Sequence, residues 1–202
     1  TSGHRACQGC GEALGARYAV DAAMRAVNGR LAAANATGCL EVFSTPYPET
    51  SWQLPWFHSL FGNTAAVATG MAAAFKVKAK KSGGAETRVI AMGGDGGTTD
   101  IGFGCLSGMF ERNDDVLYIC YDNEAYMNTG IQKSSLTPFG ASTTTTPAGK
   151  REHGCLTQKK SLFDIVAAHR IPYAATASVG YLNDFIKKVE RARDIKGTRF
   201  IH

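Results

Sequence analysis

Two apolar runs in the middle of this chain each end in residues able to bind a charged ligand. Arg88–Met92 reads as a short buried strand, followed at once by Gly93-Gly94-Asp95-Gly96-Gly97. A helix-length segment, Ile101–Glu111, comes next. A second apolar run, Asp115–Tyr121, then leads into Asp122-Asn123, so that Asn123 stands 28 residues after Asp95. Strand, helix and strand in that order suit a parallel sheet, in which ligands bind outside the carboxyl ends of the strands. The spacing thus gives one sheet edge a glycine turn, a carboxylate and a carboxamide. Gly94, Gly96 and Gly97 let the backbone approach a diphosphate, and the following helix offers its N-terminus to the anion. Asp95 and Asn123 supply hard oxygens for Mg²⁺, with the backbone carbonyl of Ala125 as a third ligand. By itself Gly94-Asp95-Gly96 is better read as a glycine-rich turn with an Asx cap. Asn123 at the end of the neighbouring strand, with Asn128-Thr129-Gly130 after it, favours the site.

The same alternation runs along the chain. Ala13–Val27 carries Leu14/Tyr18 and Val20/Met24/Val27 at helical spacing. Thr37–Ser44 reads as a short strand holding Cys39. Residues 45–56, with three prolines, read as an irregular loop. Ala-rich Asn63–Lys80 is expected as a tightly packed helix. Residues 129–160 show little periodicity and form a long loop, of a kind that is usually functional or mobile. Leu162, Ile165, Val166 and His169 mark a helix, Tyr173–Val179 a strand, and Leu182, Phe185, Ile186 and Val189 another helix. Arg199–His202 begins a further strand. The fold class is α/β, a doubly wound, mainly parallel sheet with helices on both faces. At 202 residues one domain, 1–202, is expected. A strand that begins in the last residues has nowhere to continue, so a chain cut short at its C-terminus is expected.

Composition excludes several classes. Hydrophobic residues at 44% and charged residues at 19% describe an ordinary globular protein. No apolar run reaches the ~18 residues of a membrane-spanning helix, and no signal-peptide pattern opens the chain; a cytoplasmic protein without a membrane partner is expected. The net charge of +5 is mild. Lys76, Lys78, Lys80 and Lys81, and Lys187, Lys188, Arg191, Arg193 and Lys196, read as solvated helix faces, with a docking surface for an acidic electron carrier as the alternative. No aromatic-interleaved basic stripe argues for nucleic acid. In an enzyme-sized chain Cys7-Gln8-Gly9-Cys10 reads as a metal or redox motif, and the absence of a strand before it disfavours a thioredoxin-type site. Cys7 and Cys10, with Cys39 from a separate strand, are candidate thiolate ligands for an iron–sulfur cluster, which normally takes four, or for zinc. Cys105 and Cys120 lie among apolar neighbours and read as inert buried thiols; Cys155, in the long loop, reads as a spare.

Cys7-Gln8-Gly9-Cys10-Gly11-Glu12, Gly94-Asp95-Gly96-Gly97-Thr98 and Asp122-Asn123-Glu124-Ala125-Tyr126-Met127-Asn128-Thr129-Gly130 together resemble the thiamine-diphosphate (ThDP)-binding β subunit of the 2-oxoacid:ferredoxin oxidoreductase family, pyruvate:ferredoxin oxidoreductase type. The resemblance covers most of the chain. It implies the ThDP-binding fold, with the cofactor held by Gly94, Asp95, Gly96, Gly97, Asn123, Ala125, Asn128 and Thr129, and with Mg²⁺ on Asp95, Asn123 and Ala125. It favours a 4Fe–4S cluster over zinc on Cys7, Cys10 and Cys39, the fourth cysteine lying in a segment after the last strand. It makes Asn128 the catalytic residue, its amide directed at the developing alkoxide, with an αL turn residue before Thr129-Gly130 as the plain alternative. It places His58 and Asn63 in the segment that lines the cofactor. Glu12 reads as orienting the cysteine loop, as approaching the cofactor, or equally as an ordinary glutamate at a helix N-terminus. The implied activity is oxidative decarboxylation of a 2-oxoacid such as pyruvate, with coenzyme A accepting the acyl group and electrons passing through the cluster to ferredoxin. The implied partners are a subunit supplying the pyrimidine-side half of the site, including its glutamate, and a ferredoxin-like subunit. Rival readings are an oxalate or aryl-glyoxylate oxidoreductase of the same family, and a non-redox ThDP lyase or synthase, which has no need of Cys7 and Cys10. A small Fe–S carrier or zinc module, in turn, has no need of the Gly-Asp-Gly site.

Overall fold

The computed structural model describes residues 3–45 and 50–202. Among them six strands form one sheet with every pairing parallel: β1 (Leu31–Asn35), β2 (Trp56–His58), β3 (Arg88–Gly94), β4 (Val116–Tyr121), β5 (Tyr173–Ala175) and β6 (Arg199–Ile201), in the order β2-β1-β3-β4-β6-β5. The chain reverses its direction across the sheet between β1 and β3, which makes their carboxyl ends a switch point where a crevice opens.

Six α-helices cover the two faces: α1 (Gly11–Ala26), α2 (Cys39–Ser44), α3 (Thr64–Ser82), α4 (Phe103–Glu111), α5 (Leu162–Ala168) and α6 (Leu182–Ala192). Successive strand side chains point to opposite faces. Ile90, Met92, Leu117 and Ile119 therefore pack under α1, α2 and α6, whereas Val89, Ala91, Val116 and Tyr118 pack under α3, α4 and α5. The expected doubly wound architecture is the one observed.

Three local expectations are corrected. Cys39 lies not on a strand but at the first residue of α2. The strand in this region is β1, Leu-Ala-Ala-Ala-Asn, all five residues buried; its alanines carry no β-branched signal, and burial between β2 and β3 decides its conformation instead. Trp56, expected as the end of the loop, instead begins the edge strand β2 (Trp56–His58), which pairs with β1 through Ala33↔Trp56 and Asn35↔His58. The remaining expected loop includes 46–49, which lie outside the described residues. The segment after the glycine turn is not a simple helix start: Gly97–Ile101 makes a π-helical turn before α4 begins at Phe103.

The amino edge of the sheet is held by charge. Arg199, 2% exposed, directs its guanidinium at the Asp115 carboxylate and donates to the carbonyls of Ile195 (3.0 Å) and Gly197 (2.8 Å). Arg88 reaches the same carboxylate at 3.1 Å. One aspartate thus ties the starts of β3, β4 and β6. Burial alone would raise the Asp115 carboxyl, but Arg199 and Arg88 outweigh it and hold it below the usual carboxylate range. A depressed folded pKa contributes stability above the unfolded value and loses it as pH falls through the folded one. Asp115→Ala strands the buried Arg199 cation and is expected to cost about 3 kcal/mol in urea unfolding at pH 7. This penalty should shrink as the pH is lowered beneath the carboxylate range, where the unaltered protein loses the same pair.

Candidate active site

The parallel register delivers the site. Gly94 pairs with Tyr121 as the last residues of β3 and β4, so Asp95 and Asp122 follow side by side and Asn123 is one residue further on. Asn35 ends β1 beside them, paired with Met92. One cavity is lined by residues from all three strand ends, including Asn35, Asp95, Gly96, Asn123 and Asn128, with Glu12 reaching in from α1. All the cofactor-binding candidates, Gly94, Asp95, Gly96, Gly97, Asn123, Ala125, Asn128 and Thr129, meet around this cavity.

The glycines are needed for space. A Cβ on Gly97 would stand 2.9 Å from the Phe61 carbonyl oxygen, and one on Gly96 would fall inside the Tyr126 ring. The backbone enters the helical region directly at Asp95. Asp95 is 2% exposed, and its carboxylate accepts a hydrogen bond from Ser134 Oγ. Burial pushes its carboxyl up to about 6, against the lowering effect of Ser134 and with Asp122 adding repulsion. Glu12 is pushed to about 7, again by burial first, while its bond from Asn123 works the other way and Asp95 adds repulsion. Asn123 Nδ2 donates to Glu12 Oε2 at 3.1 Å, and Asn123 Oδ1 is buried with no partner among the described residues. The buried Asp95 carboxylate, the half-buried Glu12 carboxylate and the orphaned Asn123 amide oxygen gather acceptors around one cavity, the chemistry that a hard cation satisfies. The residues present therefore fit Mg²⁺. The Ala125 carbonyl, the third candidate ligand, already accepts from Met127 N–H at 2.9 Å, which leaves it one lone pair.

Asn128 is exposed, in the turn after Ala125. Its own φ is not positive; Gly130 and Ile131 take positive φ, at 120° and 64°. Thr129 Oγ1 bonds Tyr126 O at 3.4 Å and Gln132 Oε1 at 2.5 Å. His58 stacks near Trp56 and reaches Thr37 Oγ1 at 2.7 Å. Asn63 bonds Ser59 at 2.8 Å and does not line the cavity.

A second, larger cavity of about 720 Å³ adjoins the first. Cys7, Cys10 and Cys39 line it, and Glu12, Cys39 and Asn123 belong to both walls. Gly9 at φ 69° makes the tight turn of the C-x-x-C loop. Cys10 then caps α1, accepting the Ala13 N–H at 3.4 Å. The Cys39 thiol is pushed up to about 11, by burial first and then by Glu12, Cys10 and Cys7. Among the described residues no three His, Cys, Asp or Glu side chains converge on one metal ion; the thiolates of a cluster each bind a different iron and stand further apart. Cys155 is fully buried in the long loop, hydrogen-bonded to Thr157, away from both cavities. Cys120 is buried and Cys105 half-buried.

Sequence reasoning missed three residues of the site, Ser134, Lys159 and Asn35. Ser134 and Lys159 come from the long loop, which carries no pattern to flag them; Lys159 Nζ stands 2.9 Å from Asp122. Asn35, 1% exposed with an unpartnered Oδ1, would have been visible had the alanine run before it been read as a strand.

The raised Asp95 carboxyl carries a prediction with a definite sign. A folded pKa near 6 against an unfolded one near 4 means that the carboxylate destabilises the metal-free fold as pH rises through this interval. Asp95→Asn removes that cost while its oxygen still accepts from Ser134. At pH 7 the metal-free variant should be more stable by on the order of 2 kcal/mol, and the difference should vanish near pH 4. Thermal unfolding in a chelator, followed against pH, measures it.

Comparison with known proteins agrees with this geometry. The family described as thiamine pyrophosphate enzyme, C-terminal TPP binding domain, matches residues 36–202. Pyruvate synthase subunit PorB of Methanothermobacter marburgensis is 52% identical over 200 residues, which is 99% of this chain and 67% of that protein. PorB of Pyrococcus furiosus is 50% identical, covering 98% and 60%, and ketoisovalerate oxidoreductase subunit VorB of Pyrococcus abyssi is 49% identical, covering 99% and 63%. The chain therefore spans about two thirds of the length of these relatives. A solved 2-oxoglutarate:ferredoxin oxidoreductase from Magnetococcus marinus, with 2-oxoglutarate, coenzyme A and succinyl-CoA bound, shares the fold at TM-score 0.80 and 24% identity, over 98% of this chain and 62% of that one. With half of its residues shared along nearly its whole length, the chain belongs to the family of ThDP-binding β subunits of 2-oxoacid:ferredoxin oxidoreductases.

Proposed function

We propose that this chain holds ThDP, Mg²⁺ and a 4Fe–4S cluster within a multi-subunit enzyme that oxidatively decarboxylates a 2-oxoacid. The observation that carries the reading is the orphaned Asn123 Oδ1 beside the buried Asp95 carboxylate at adjacent strand ends. When bound, ThDP supplies the carbon nucleophile and the electron sink for loss of CO₂. Asp95, Asn123 and the free lone pair of the Ala125 carbonyl hold the cation. Gly94, where a Cβ would meet nothing within 4 Å, and the backbone of Gly96 and Gly97 line the cavity that takes the phosphates. Asn128, at the exposed rim, offers its amide N–H to the substrate oxygen on which negative charge develops. Cys7, Cys10 and Cys39 bind iron, with a fourth thiolate from beyond His202; each must lose its proton, and the raised Cys39 thiol does so only on metal binding. The walls shared by the two cavities support a short path for electrons.

The remaining features follow the same reading. A partner subunit supplies the pyrimidine-side half and its glutamate, a ferredoxin-like subunit carries electrons outward to ferredoxin, and coenzyme A takes the acyl group. Among the described residues no helix is long and apolar enough to cross a membrane, in keeping with a cytoplasmic assembly. Pyruvate is the proposed substrate. The near-equal identity to PorB and VorB, 52% against 49%, supports a branched 2-oxoacid as the second reading, and turnover of a panel of 2-oxoacids with a viologen acceptor separates the two.

Two substitutions test the site in the assembled, anaerobically purified complex. Asp95→Ala should lose ThDP while the subunits stay together; stoichiometric ThDP in that variant would refute the assignment. Cys7→Ser should keep ThDP and decarboxylation but lose the broad visible absorption and the fast reduction of viologen. Cys155→Ser should keep all of these. Loss of the cluster in Cys155→Ser would make Cys155 the fourth ligand instead.

A further inference from the structure

Asn123 lies after β4 has ended, in irregular backbone before the left-handed Glu124 (φ 70°). Its backbone therefore does not by itself decide which end of its carboxamide faces the cavity. The choice matters, because a carboxamide offers either an oxygen or an NH₂ group, and only the oxygen binds a cation. Glu12 makes the choice. Its Oε2 accepts from Asn123 Nδ2 at 3.1 Å, and Oδ1 is left buried and unpartnered. Ionised, as it is beside a bound cation, the Glu12 carboxylate is an acceptor only, so the flipped amide would set two oxygens against each other. Glu12 is itself fixed, in the first turn of α1 directly after the Cys10 cap.

We propose that Glu12 is a positioning residue for the cation: it locks the Asn123 carboxamide with its oxygen towards the metal. The proposal rests on Asp95 and Asn123 being the Mg²⁺–ThDP site. It gives Glu12 a task distinct from binding the cofactor, and it makes the loop that carries Cys7 and Cys10 also the mount for a group that acts on the other cavity. Hydrogen-bonded partners that orient metal ligands commonly change metal affinity by about 10–100-fold when removed.

The test is the free Mg²⁺ concentration at which the assembled complex retains half of its ThDP, measured by cofactor content after gel filtration, together with iron content. Glu12→Ala should raise that concentration by about 10–100-fold with iron content unchanged. Glu12→Gln, whose side chain can accept or donate and so no longer forces one orientation, should raise it less. In the Asn123→Ala background neither substitution should add a further loss, because Glu12 acts through Asn123. Unchanged midpoints in both Glu12 variants overturn the proposal. So does an undiminished extra loss in the Asn123→Ala background, and so does iron lost along with ThDP, which would make Glu12 a support of the cysteine loop. If Glu12→Ala fails to assemble, the isosteric Glu12→Gln decides, a raised midpoint upholding the proposal and an unchanged one overturning it. A complex that retains no ThDP at any Mg²⁺ concentration before substitution refutes the site itself; Mg²⁺-dependent retention that ignores Glu12 refutes only its positioning role.

Discussion

The pairing of β3 with β4 is the constraint on which the rest depends. Because both strands end together at Gly94 and Tyr121, Asp95 and Asn123 reach the same cavity without any long loop to carry them. The register is held at both edges by aspartates. Asp115 gathers Arg88 and Arg199 where the strands begin. Asp122 gathers Lys159 at 2.9 Å and His202 at 3.0 Å where they end. A slip of one residue would exchange the two faces of a strand buried on both sides, driving Ile90 and Met92 into the layer built for Val89 and Ala91. Core packing and charge thus select the alignment that builds the site.

The site is costly to the fold that holds it. Asp95, buried, and Glu12, half-buried, repel each other, and Asn35 and Asn123 each leave an amide oxygen without a partner among the described residues. Asn123 Nδ2 satisfies Glu12, but among the described residues nothing satisfies the two amide oxygens. Under the proposed reading a dication does, and its binding free energy would then stabilise the loaded protein. Function here takes the form of an unmet electrostatic demand, one of the recognised ways in which activity and stability oppose each other. In the cysteine cavity, likewise, burial pushes the Cys39 thiol up and favours its protonated form.

Residues 129–160 contain no helix and only isolated bridges, yet they are built into the site. Ser134 bonds Asp95, the Ser135 N–H reaches Asp100 at 3.1 Å, Thr137 Oγ1 donates to the Glu124 carbonyl at 2.6 Å, and Lys160 Nζ donates to the Thr99 carbonyl at 2.7 Å. Leu136 is fully buried beneath. Side-chain bonds to the strand-end turns replace the backbone ladder that regular structure would provide.

The sequence by itself determined the layered α/β class and the candidate ligands. Periodicity and apolar runs report burial, and Gly94-Asp95-Gly96 with Asn123 reports the chemistry at the ends of two such runs. The same local signals misread Cys39 and hid β1 and β2. Leu31–Asn35 owes its strand to neighbours on both sides, and Trp56–His58 owes its own to a single edge pairing; neither cause is local. Only the tertiary structure decided that the cysteine cavity and the strand-end cavity share Glu12, Cys39 and Asn123. It alone brought Ser134, from 39 residues away, onto Asp95, and turned the Asn123 oxygen away from Glu12. Those facts depend on contacts between segments far apart in the chain, and no spacing or composition encodes which of many such contacts is made.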